Sequence, residues 1–172
     1  MRALLVALAS LAVITLSACA AGRPSLGNIQ LRPYTQIVGI PEVFSVQSGR
    51  ILNPNLDLSV EDDGCVRGEV RRSLAQLCSQ EKKAEPREEG GKVEHWAGVG
   101  GDVTLELFDK GTRLRMDGYL RGAVGGGTLP VEATVLLGQG PEWDELRKHP
   151  VLLAVAAAYS GVRGEPMEHQ RP

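Results

Sequence analysis

His95, His149 and His169 are the imidazoles of this chain, and they fall in a strand-like run, before a proline and in the C-terminal tail. None has metal-ligand spacing, so no shared metal site is expected. Glu61-Asp62-Asp63-Gly64 has the acidity of a calcium loop. Placing Gly64 sixth in such a loop, however, puts Ser59 first and Val70 twelfth, where a bidentate carboxylate is needed, so the stretch reads as a solvated hairpin turn. Serine-hydrolase chemistry lacks its G-x-S-x-G elbow, and Cys78 has no readable partner base. GVGGD at 98–102 and GAVGGG at 122–127 lack the third glycine of a dinucleotide loop and the lysine of a phosphate loop, and read as hairpin turns and a flexible loop. Trp96, Trp143, Tyr34, Tyr119 and Tyr159 are too dispersed for an aromatic platform, and both tryptophans are expected as core anchors. The 19 Lys plus Arg against 21 Asp plus Glu, with no basic run, argue against a nucleic-acid partner. The expectation is a protein that is no enzyme, with no catalytic residue, metal or cofactor and an unspecified ligand site.

The one residue whose position demands a chemical explanation is Cys19. Residues 3–16 are almost wholly apolar and follow Arg2. This run is short of the ~20 residues that span a bilayer and has the length of a signal-peptide core. Small residues, Ser17 and Ala18, then precede the cysteine. Leu16-Ser17-Ala18-Cys19 resembles the lipobox of bacterial lipoproteins. The resemblance covers the first 19 residues, and no family is identified for residues 20–172. It implies that residues 1–18 are removed as a lipoprotein signal peptide, that Cys19 receives a diacylglyceryl thioether, and that the new amino terminus is acylated with palmitate-type chains. Each buried methylene contributes ~0.8 kcal/mol, so two or three chains make a permanent membrane tether. Ala20 stands where an inner-membrane lipoprotein would carry Asp, so the resemblance favours the outer membrane of the bacterial cell envelope.

With Cys19 committed to lipid, Cys65 and Cys78 remain as an even pair in an oxidising compartment, where disulfides form. Strand register points the same way. A turn at Asp62, Asp63 and Gly64 matches Val60 with Val66 and Leu56 with Val70. A second turn near Arg71 and Arg72 matches Val66 with Leu77 and Gly68 with Ala75, and this sets Cys65 opposite Cys78, close enough for a disulfide.

Around those cysteines, alternation of period two dominates and predicts strands and hairpins. In VTLELFDKGTRLRMDGYL, a turn at Lys110 and Gly111 pairs Leu107 with Leu114 and Leu105 with Met116 on one face, and Glu106 with Arg115 on the other; a one-residue slip would mix the faces. Further strands are expected at 92–98, at 129–137 and between 36 and 46. Pro141, followed by Glu142, Asp144 and Glu145, begins a helix over 141–160, kinked at His149-Pro150 and stopped by Gly161.

The predicted fold class is α+β and β-rich: an antiparallel sheet of hairpins, open to curling toward a barrel, with a kinked C-terminal helix packed on it. Residues 19–35 are expected as a lipidated tether, 36–162 as a single domain with a polar loop at 79–91, and 163–172 as a disordered tail. The functional expectation is a membrane-anchored, non-enzymatic structural or protein-interaction module with an envelope protein as partner. The alternative is a periplasmic-side binding protein holding a small lipophilic ligand or glycan in a sheet-helix pocket. An empty apolar cavity of several hundred cubic ångströms under residues 131–160 distinguishes the second from the first.

Overall fold

The computed structural model describes residues 23–31, 41–80, 92–121 and 127–161. The signal peptide, Cys19, Tyr34, nearly all of the 79–91 loop, most of GAVGGG, the 163–172 tail and His169 lie outside the described residues.

Eleven strands form one antiparallel sheet in chain order: β1 (Ser25–Leu31), β2 (Glu42–Gln47), β3 (Arg50–Asn53), β4 (Leu56–Val60), β5 (Cys65–Val70), β6 (Ser73–Ser79), β7 (Lys92–Gly98), β8 (Gly101–Phe108), β9 (Arg113–Arg121), β10 (Thr128–Pro130) and β11 (Ala133–Leu136), with both β10 and β11 pairing to β9. Two helices follow, α1 (Pro141–Lys148) and α2 (Pro150–Tyr159), parted at His149. The sheet curls into a half-barrel with the helix pair packed on its inner face.

The curl follows from α2. PVLLAVAAAY has no polar side, and a helix apolar all round must be surrounded. Leu152 to Ala157 are fully buried against inward residues such as Phe44, Ile51, Leu58, Leu105, Leu114 and Met116. A flat sheet covers one helical stripe, whereas a curled one covers nearly the whole circumference. Helix α1 closes the opening at one end. Glu145 accepts the Gly49 amide at 2.7 Å from the β2–β3 turn, and Arg147 donates to the carbonyls of Gly111 at 2.8 Å and Gly138 at 2.5 Å from the opposite side.

The hairpin registers agree with the alternation pattern. Leu107 faces Leu114, Leu105 faces Met116, and Glu106 faces Arg115. Val60 faces Val66, and Gly64 has the positive φ its turn requires, 77°. Cys65 faces Cys78, and the two form a disulfide with Cα atoms 4.1 Å apart.

Two expectations need correction. Part of the predicted 19–35 tether is strand: β1 pairs with β2 from Ser25 to Leu31 and buries Ile29 and Leu31. Pro24 and Gly27 read as loop signals, but Pro24 precedes the strand, and Gly27 sits at a register shift near its start. The strand expected over 129–137 is two pieces, because Pro130 has no amide to continue the ladder and the chain is re-aimed through Val131. Strand β3 is a further element that the alternation pattern does not predict. Its four residues, Arg50–Asn53, are too few to show a period.

Candidate functional site

The residues singled out for chemistry are spent mostly on structure. Asp63 accepts the Cys65 amide at 3.0 Å and a forked pair of bonds from Arg67 at 2.9 and 2.6 Å. Those contacts, led by the guanidinium, hold its carboxyl down at about 2. Glu61 accepts from Ser59 at 2.6 Å. The acidic turn is thus a self-satisfied hairpin end. His95 lies 2.7 Å from Asp102 through Nε2, while its Nδ1 is buried with no hydrogen-bond partner. A hydrolytic dyad has the opposite orientation, with the carboxylate on Nδ1 and Nε2 left to take the proton. His149 occupies the joint between the helices, 3.6 Å from Glu145. The carboxylate beside each imidazole is thus a different one, Asp102 for His95 and Glu145 for His149, and among the described residues no group of three or more His, Cys, Asp or Glu is placed to hold a metal. Trp96 is buried in the core and Trp143 packs against it. Of the glycine-rich pieces, Val99 and Gly100 form the tight β7–β8 turn.

The feature that could act on another molecule lies at the end of the half-barrel away from α1. Here the turns at Asn55, at Arg71 and Arg72, and at Val99 and Gly100 come together with Arg121. Backbone bonds from Arg71 to Asn55, Gly100 to Gln76 and Arg121 to Gly100 stitch this rim. Helix α2 reaches it with Tyr159 and stops at Gly161, whose φ is 66°. Between the helix end and the strands is a cavity of about 230 Å³, walled by Val70, Leu77, Leu120, Leu129, Val155 and Tyr159. Small residues, Ala75 and Gly100, also line it, where the last turn of α2 meets the strands.

The edge of the cavity is cationic and greasy. Arg71 lies over the Tyr159 ring, 4.6 Å from its centroid, and Arg121 also lines the cavity. Leu74 is 80% exposed and Leu129 40%. Both Arg71 and Arg72 have left-handed backbones, with φ of 49° and 69°, where a two-residue hairpin turn ordinarily uses Asn or Gly. Sequence reasoning located the Arg71-Arg72 turn but not the cavity, which is assembled from separate stretches around 70–77, 100, 120–129 and 155–159.

No known protein family matches this chain, and neither does any curated protein or solved structure. Along most of its length α2 is buried against the sheet, and the cavity described above lies at its Arg71 end.

Proposed function

We propose that this protein is a bacterial envelope lipoprotein anchored through Cys19, in the outer membrane by the residue that follows it. In this reading it is a non-enzymatic interaction module that presents its Arg71 end to a partner in the envelope. The observation that carries the reading is the position of the amino-terminal strand. Arg23 donates to the Gly49 carbonyl at 2.9 Å, and Ser25 pairs with Gln47, so the chain enters the fold at the Gly49 end. Arg23 lies four positions after Cys19, and a chain spans at most about 3.6 Å per position, or roughly 14 Å here. A lipid on Cys19 holds the Gly49 end next to the bilayer and directs the Arg71 end away from it.

The test compares the wild type with Cys19→Ala. Wild type is expected to sediment with the envelope and resist alkaline washing, and the variant to appear in the soluble fraction; a variant that stays in the membrane contradicts the anchor. A photo-crosslinking residue at position 72 is expected to capture protein partners, and one at position 62, in the turn at the opposite end, to capture lipid. The reverse pattern contradicts the orientation.

A second reading, that the protein holds a small lipophilic ligand, is favoured by one observation: the apolar cavity beside α2. The position is at the tip of α2, so in this reading the helix forms the inner wall of the site and the sheet ends form its mouth.

A further inference from the structure

We infer that the Arg71 end binds an acidic amphiphile, with the cavity taking the end of an alkyl chain and Arg71 and Arg121 holding a carboxylate or phosphate head. The inference rests on the ligand-binding reading above and is independent of the anchor at Cys19.

Volume and lining specify the tail. The cavity of about 230 Å³ exceeds the ~150 Å³ apolar hole that is known to stay dry and admit benzene, and is smaller than the ~300–1,000 Å³ that engulf a drug-sized molecule. It therefore accommodates a chain segment, and the remainder must lie on the surface outside. At the rim stands Leu129, which faces the buried Leu120 across the β9–β10 pair, and Val99, 66% exposed, occupies the turn next to Gly100. Leu129 continues the apolar lining from the buried Leu120 and Leu77 out to the mouth, where a chain leaving the cavity would lie.

Charge specifies the head. Arg71 and Arg121 both line the cavity, and among the described residues neither makes an ion pair with a carboxylate. Arginine's planar fork matches carboxylate and phosphate oxygens with two parallel hydrogen bonds. The placement of Arg71 is also costly: two consecutive non-glycine residues in the left-handed region are strained, and such outliers concentrate where a side chain must be aimed. Here the turn aims the guanidinium across the Tyr159 ring at the cavity mouth.

The experiment is calorimetric titration of the mature chain, starting at residue 19 and carrying Cys19→Ala so that no acyl group of its own competes. Decanoate and monodecyl phosphate distinguish the two possible heads, and decanol and decyltrimethylammonium are the neutral and cationic controls. Saturable binding of one acid at a single site, about tenfold or more tighter than decanol, is expected. Arg71→Gln with Arg121→Gln should bring the acid down to the affinity of decanol and leave decanol unchanged. Ala75→Leu and, at the more tolerant rim, Leu129→Trp should weaken every decyl ligand while circular dichroism shows the fold intact. If decanol binds as tightly as both acids, or the arginine variants change nothing, the head assignment is overturned and the cavity reading survives. If no decyl compound binds, both fail.

Discussion

Asp63 is exposed, yet its carboxyl is held at about 2 by Arg67 and by the Cys65 amide, against an ordinary 3.8. A carboxylate whose folded value is depressed contributes stability that is fully present above its unfolded value and is lost as pH falls through the folded one. The window is therefore about pH 4 down to about 2. Asp63→Asn should melt below the wild type at pH 7, and the difference should close across that window; thermal melts at pH 7 and pH 2 check it, and a constant gap contradicts it. Gly68 makes a second prediction at the same scale. Its φ is 152°, and a Cβ there would collide with the Asp57 carbonyl oxygen of the neighbouring strand. Gly68→Ala is expected to cost more than about 2 kcal/mol, measured by urea unfolding. The residue-level chemistry was partly legible in sequence, since a calcium role for the acidic turn failed on spacing alone. That Arg67 would neutralise the turn was not, because the pair depends on the turn's three-dimensional curl.

At the scale of elements, the β5–β6 hairpin is pinned by the disulfide between Cys65 and Cys78, which closes a separation of 13 residues. On the chain-entropy account a loop of this size contributes about 3 kcal/mol. Cys65→Ala with Cys78→Ala should lose roughly that amount in urea, and reductant should lower the wild type to the same level. The hairpins were readable because their side chains alternate cleanly and their turns carry a glycine or a short polar pair, so only one register separates the faces. Elements without those signals were not. Only Ile29 and Leu31 of β1 are fully buried, so its period barely begins, and β3 is four residues long. The long strand expected over 129–137 divides at Pro130 because a missing amide outweighs the apolar alternation that runs from Val131 to Val135. The cavity was invisible for a different reason: each wall residue is unremarkable in its own segment, and only the closure of the sheet brings Val70, Leu120 and Tyr159 around one space.

At the scale of the whole molecule, one wholly apolar helix organises an eleven-stranded half-barrel, and its two ends are left with different tasks. The Gly49 end is covered by α1 and receives the amino-terminal strand; among the described residues the Arg71 end holds the apolar cavity with Arg71 and Arg121 in its lining. Leu153, fully buried on α2, tests the organising role: Leu153→Ala should cost about 2–5 kcal/mol in a single cooperative unfolding transition, because the surrounding strands cannot collapse into the space. The direction in which the open end points depends on what Cys19 carries. Intact-mass spectrometry of the protein extracted from a bacterial envelope measures this directly. The account predicts a polypeptide beginning at Cys19 with the added mass of a diacylglyceryl group and an amide-linked acyl chain. A mature chain that begins elsewhere, or begins at Cys19 with no fatty mass, contradicts it.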